Sequence, residues 1–260
     1  MDFFEQICQV LAENGKTYPG RLNDNNDIKQ FFSAVQSVPV KNTPPPPPPA
    51  PVVPPAAHPV VSAAPDECAL PNTMEQLRSA LADCALCPLA RHRTHIVFGE
   101  GDPHARLMFV GEAPGYEEDL SGRPFVGKAG QLLDRMIAAM QFSRDEVYIA
   151  NVVKCRPDNN RNPMPDEINK CIGFLHKQIE IIRPEVIVVL GAVAAKALLN
   201  CSDGISRLRG RWCSYENIPV MPTFHPAFLL RQESAKKDAW KDLQQVMARF
   251  GKFPLNGKRK

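Results

Sequence analysis

The chain has 260 residues, room for one large domain or two small ones, and its 44% apolar and 23% charged content suits a folded protein with a core. A formal charge of +3 is too small to demand a nucleic-acid partner and does not exclude one. The opening Met1-Asp2-Phe3-Phe4-Glu5 lacks a basic leader, and the most apolar run, 186–195, is about half the length of a membrane span. The expectation is a cytosolic monomer with no membrane association, whose eight cysteines serve metal or redox chemistry rather than structural disulfides.

Residues 1–37 carry two short amphipathic stretches, Phe3, Phe4, Ile7, Val10 and Leu11, then Ile28, Phe31, Phe32 and Val35. They read either as a tail with nascent helix or as helices that dock a protein partner. Residues 38–69 form a linker: 38–65 contain 12 prolines, including the unbroken run Pro44 to Pro49, which favours an extended polyproline spacer. A folded domain is expected over 70–252, followed by a basic tail, 253–260.

Within that domain Thr73 caps a helix running toward Cys84, with Gln76 placed for a capping box. Leu107 to Val110 is a short buried strand that ends in a Gly/Pro turn. Gly127 to Met140 is a helix with Leu132, Leu133, Met136, Ile137 and Met140 on one face. Val147 to Val153 is a second strand, and Pro165 to Ile182 a long helix that admits proline in its first turn. Val186 to Leu190 is apolar throughout, hence a strand covered on both faces. Ala192 to Leu199 is a helix, Pro219 to Phe224 a weaker fourth strand, and Asp238 to Phe250 the last helix. This alternation predicts an α/β fold with a parallel sheet and helices on both faces, and ligands at the carboxyl ends of its strands. Four loops are thereby selected, after Val110, Val153, Leu190 and Phe224.

Cys84 and Cys87 are spaced C-x2-C, so two thiolates reach one centre from a single turn. Cys155 follows the second strand and Cys171 lies in the next helix, close enough in the expected fold to complete a four-thiolate set. Spacing alone leaves zinc and a cubane iron–sulfur cluster both open. Cys8, Cys68, Cys201 and Cys213 read as ordinary thiols.

Three blocks carry a family likeness. Gly111-Glu112-Ala113-Pro114-Gly115-Tyr116-Glu117-Glu118-Asp119, with Gly122-Arg123-Pro124-Phe125-Val126-Gly127, resembles the first motif of the iron–sulfur (family 4) uracil-DNA glycosylases. Tyr148-Ile149-Ala150-Asn151-Val152-Val153-Lys154-Cys155-Arg156-Pro157 resembles their central block, and His225-Pro226-Ala227-Phe228-Leu229-Leu230 their second catalytic motif. The likeness spans about residues 74–250 and says nothing of the first 65. It implies a three-layer α/β sandwich with a central four-stranded parallel sheet, a 4Fe–4S cluster on Cys84, Cys87, Cys155 and Cys171, and removal of uracil from single- or double-stranded DNA.

The chemistry then assigns roles. Such enzymes flip the nucleotide into a pocket and read its Watson–Crick edge, a task suited to the Asn151 amide, while Phe125 stacks on the base. His225 donates to the charge that develops on uracil O2. Glu112 is expected to place water and stabilise the sugar cation, and Gly111, Ala113 and Gly115 to let the backbone approach the substrate. Glu118 is expected to crowd the uracil C5 position, and Tyr116 stands where relatives often carry an acid. Leu229 and Leu230 are expected as a wedge in the duplex. Arg231, Arg156, Arg161 and Lys154 are expected at phosphates. A non-catalytic, polymerase-associated binding module of the same fold would be signalled by a degraded motif, whereas Glu112, Asn151 and His225 are all present.

Overall fold

The structure, a computed structural model, describes residues 72–253; the expected N-terminal helices, the linker and nearly all of the basic tail lie outside the described residues. In chain order the elements are α1 (Met74–Leu81), β1 (Glu100–Gly101), β2 (Leu107–Gly111), α2 (Tyr116–Ser121), α3 (Lys128–Ala139), β3 (Tyr148–Asn151) and α4 (Pro165–Ile182). There follow β4 (Val186–Leu190), α5 (Ala192–Leu199), α6 (Ile205–Leu208), β5 (Cys213–Tyr215), β6 (Ile218–Thr223), α7 (Pro226–Arg231) and α8 (Lys236–Arg249). Thr73 caps α1 through its hydroxyl, which accepts the Gln76 N–H at 3.2 Å. The return bond from the Gln76 side chain goes to the N–H of Asn72, one residue before the position a capping box uses.

The sheet has six strands in the order β1-β3-β2-β4-β6-β5. The four strands expected from sequence form its parallel centre, β3-β2-β4-β6. The short edges β1 and β5 are antiparallel to their neighbours and extend the expected four-stranded sheet by one strand on each side. The chain moves from β2 to β3 in one direction and from β4 to β6 in the other, so β2 and β4 flank a switch point where the carboxyl ends of adjacent strands open a crevice.

Helices cover both faces. Met108, Val110, Ile187 and Val189 share a cluster with Leu175 and Ile179 of α4 and with Ala194 and Leu198 of α5. Alternate residues face the other way. On that side α3, α7 and α8 meet through Leu132, Met136, Leu229, Trp240 and Leu243, and α8 lies against β6. Every residue of β2 and β4 is buried, which explains the unbroken apolar runs. No described helix is long and apolar enough to cross a membrane.

The carboxyl end of β6 is anchored by a buried charge. Asp242 of α8 is 1% exposed and accepts bonds from the Thr223 hydroxyl at 2.7 Å and from Arg209 Nε at 3.0 Å. Asp242→Ala strands the Arg209 cation in a largely buried position, a loss of about 3–5 kcal/mol. The melting temperature should then fall on the order of 10 °C for a domain of this size. Thermal unfolding followed by circular dichroism measures it; a shift within one degree would show that this anchor is dispensable.

Candidate active site

Four segments converge beyond the carboxyl ends of the parallel strands. Gly111 ends β2 directly opposite Asn151, which ends β3. Leu190 ends β4 opposite Thr223 of β6, and His225 follows two residues later. A cleft of about 720 Å³ opens there, lined by Glu112, Ala113, Gly115, Phe125, Asn151 and His225 among others.

Gly111 makes the convergence possible. A Cβ at this position would stand 2.4 Å from Asn151 Oδ1 and 2.5 Å from Phe125 Cζ, inside any tolerable contact. Asn151 is 1% exposed, and its Oδ1 has no hydrogen-bond partner within the described structure. A buried acceptor left unsatisfied costs roughly 1–3 kcal/mol, so one lining a cleft points to a ligand. The Asn151 carbonyl is held from behind by the Lys154 ammonium at 2.8 Å, which also donates to Gln178 Oε1 at 2.6 Å. Lys154 is wholly buried, and burial pushes its ammonium pKa down to about 8. The expectation that it meets a phosphate is corrected: it braces the strand end from inside the core.

Phe125 adopts φ +51°, a left-handed conformation rare for a bulky side chain. Such strain persists where neighbours over-determine it. On one side Glu118 Oε1 accepts the N–H groups of Val126 at 2.8 Å and Gly127 at 2.9 Å, while its Oε2 accepts that of Gly115 at 3.1 Å. On the other, Arg144 donates to the carbonyls of Pro124 at 2.5 Å and Phe125 at 3.4 Å. It is itself paired with Asp134 at 2.5 Å. Gly130 is required below, because a Cβ there would lie 1.9 Å from the Phe125 oxygen. Glu118 lines the cleft, and both its oxygens are engaged in clamping two loops, so the N–H of Gly115 is used in that clamp rather than offered to a substrate.

His225 precedes α7, with its ring centroid 5.6 Å from that of Phe125 and tilted by 32°. Its Nδ1 accepts the Ala227 N–H at 3.1 Å, which requires a lone pair on Nδ1 and leaves the proton on Nε2. Burial and, less strongly, the Arg231 cation push its pKa down to about 4, with Glu118 opposing, so the ring is neutral near pH 7. Gly191, at φ +90°, brings its backbone close to the imidazole, since a Cβ there would sit 3.0 Å from that of His225. Burial raises the Glu112 carboxyl above its ordinary 4.5.

Of the residues expected at DNA, Leu229 is corrected. It is 2% exposed and packs under α7 against α3 and α8, so it cannot leave the core to wedge a duplex. Its neighbours Phe228, 36% exposed, and Leu230, 38% exposed, line the cleft instead. Arg231 also lines it. Arg161 lines it too, but both its terminal nitrogens bind Glu167, at 2.8 and 2.7 Å. Arg156 lies over the ring of Tyr116, 4.9 Å from its centroid. Lys128, Asn160 and Asn162 on the lining, and Arg144 behind it, lie in no pattern that spacing alone would mark; Phe228 stands inside the His225–Leu230 block, but no role was expected of it.

A second grouping consists of thiols. Cys155 and Cys171 are buried, while Cys84 and Cys87 are half-buried. Burial raises the Cys155 thiol, Arg93 opposes, and the thiols of Cys87 and Cys84 add to the rise. The Cys171 thiol is pushed up to about 11, again first by burial, with Cys155 and Cys87 contributing. Cys155 thus feels the thiols of Cys84 and Cys87, and Cys171 those of Cys155 and Cys87. Arg93 Nη1 donates to Cys155 Sγ at 3.4 Å, and the Lys154 N–H to Cys171 Sγ at 3.3 Å. Among the described residues, no three His, Cys, Asp or Glu side chains form a group that could hold a metal ion.

The family model of the uracil DNA glycosylase superfamily matches residues 98–244. A type-4 uracil-DNA glycosylase of Thermotoga maritima is 48% identical over 165 residues, covering 62% of this chain and 85% of the relative. Those of Archaeoglobus fulgidus and Sulfurisphaera tokodaii are 40% and 43% identical, over 69% and 67% of this chain and 94% and 84% of their own. With the same blocks gathered around one cleft, the chain belongs to the uracil-DNA glycosylase superfamily, among its type-4 members.

Proposed function

We propose that the protein is a uracil-DNA glycosylase that takes a flipped uracil between Asn151, Phe125 and His225 and hydrolyses its N-glycosidic bond, initiating repair. The observation that carries this assignment is the unpartnered Oδ1 of Asn151 on the wall of the cleft. Uracil presents N3–H to that acceptor and O4 to the amide nitrogen beside it. Cytosine reverses both groups and would leave two buried mismatches, which is how a polar site rejects an analogue strongly.

The reaction breaks the C1′–N1 bond with its electron pair passing to uracil, while water adds its oxygen to C1′ and loses a proton. Negative charge grows on uracil O2. His225 Nε2–H is a donor whose proton position is set by Ala227, so it stabilises that charge without reorganising. Positive charge grows on the sugar, and Glu112, ionised, stabilises it and orients the water. An oxocarbenium-like sugar accepts a weak nucleophile, so full proton removal by Glu112 is not required. Phe125, held in its strained conformation, supplies a flat face for the base.

Cys84, Cys87, Cys155 and Cys171 would hold the 4Fe–4S cluster that the type-4 likeness implies, and two of them receive N–H···S bonds of the kind that steady cluster thiolates. When bound, such a cluster supplies a covalent tie between the loop at 84–87 and the segment 155–171. The hydrolysis moves no electrons, so the cluster has no redox part in it.

Three outcomes follow. Oligonucleotides carrying one uracil should yield an alkali-labile abasic site, and His225→Ala should lower kcat by about 10²–10³-fold, as removal of an oxyanion donor does elsewhere. An intact protein with no cleavage activity would sink the reading. The pH profile of kcat/KM should show an acid limb above pH 4.5, removed in Glu112→Gln, because Glu112 works ionised and burial raises its pKa. No inflection should appear near pH 6.5, since His225 stays neutral down to about pH 4. Cys87→Ser should lower iron content, visible absorbance and folding yield, whereas Cys213→Ser should not. A stable, colourless and fully active Cys87→Ser variant would remove the cluster from the structural account.

A further inference from the structure

The cleft is larger than one pyrimidine needs, and its two ends differ. Asn151 and Phe125 form a deep end, 1% and 6% exposed. Toward solvent the lining is open, with Tyr116 55% exposed and Phe228 and Leu230 exposed elsewhere along it. Tyr116 is the first residue of α2 and belongs to none of the bonds that clamp the loops.

Its ring is nevertheless held in place. The Arg156 guanidinium covers one face at 4.9 Å, and Arg156 is itself fixed by its Nε bond to Asn160 Oδ1 at 2.7 Å. The Asn159-Asn160 turn that presents this acceptor runs through two left-handed residues, φ +54° and +55°. Among the described residues no second ring packs against Tyr116. An exposed aromatic ring backed by a cation and open on its other face is a stacking platform.

We propose that Tyr116 stacks on the base adjacent to the flipped uracil. This inference rests on the uracil-excision reading and adds to it the residue that holds the flanking base.

The test uses the full chain, single-stranded oligonucleotides with one uracil, and matched oligonucleotides in which the base on the 5′ or 3′ side is replaced by an abasic tetrahydrofuran. Tyr116→Ala should raise KM on the intact single strand by about 5–150-fold, the range that one stacked base contributes. Its kcat should stay within about twofold, and Tyr116→Trp should restore KM. For the unsubstituted protein, removing the base on one flank should raise KM by a similar factor. The same removal should leave KM of Tyr116→Ala unchanged, because both changes delete the same contact. A KM unaffected by Tyr116→Ala, or a flank effect that persists undiminished in that variant, would each overturn the proposal. Failure of the unsubstituted protein to release uracil from any strand would instead overturn the reading on which it rests.

Discussion

The missing side chain at Gly111 is the constraint on which the site depends. β2 is a buried central strand, and its last residue lies in register with Asn151 across the β2–β3 ladder. Any Cβ there would enter the space held by the Asn151 amide and the Phe125 ring. The parallel sheet brings the two strand ends together, and glycine lets their side chains and the Phe125 loop share one small volume. Sheet topology and pocket chemistry therefore meet at one backbone position.

Around that point the protein immobilises its functional groups from behind. Glu118 and Arg144 grip the Phe125 loop from opposite sides. Lys154 grips the Asn151 carbonyl, and Gln178 ties Lys154 to the Phe98 carbonyl at 2.9 Å. Ala227 sets the His225 tautomer. Such bracing is what a preorganised site requires, because dipoles already aimed at developing charge need no reorientation during the reaction. It also explains why charged groups sit in the core beside the site, where burial alone would disfavour them.

Much of this was legible in the sequence, for identifiable reasons. β2 and β4 are buried throughout and appear as compact apolar runs, whereas β6 begins half-buried and reads as a weaker strand. The loop rule for parallel sheets then selected the turns that carry Glu112 and His225, while Asn151, inside the expected second strand, was marked only by the family-like block around it. The edge strands were not legible. β1 has two residues, and the β5–β6 hairpin turns through Glu216-Asn217, both left-handed, without the glycine that usually marks such a turn. The Leu229-Leu230 pair was read as one wedge because sequence does not reveal which side of a short helix faces the core. Lys154 and Arg144 escaped for a related reason. A lysine beside a strand reads as a surface charge, and an arginine 19 residues from Phe125 gives no local sign of its bond to that carbonyl. Glu118 lay inside a recognisable motif, yet its work as a clamp depends on backbone N–H groups that no motif displays.

The most direct test of the account is the kcat/KM of Gly111→Ala for a uracil-containing oligonucleotide, measured on protein whose circular dichroism matches the unsubstituted chain. A displacement of about 1 Å at Asn151 or Phe125 should lower kcat/KM by roughly 10²-fold while the fold remains. Undiminished uracil release from that folded variant would contradict the claim that the convergence at Gly111 builds the site.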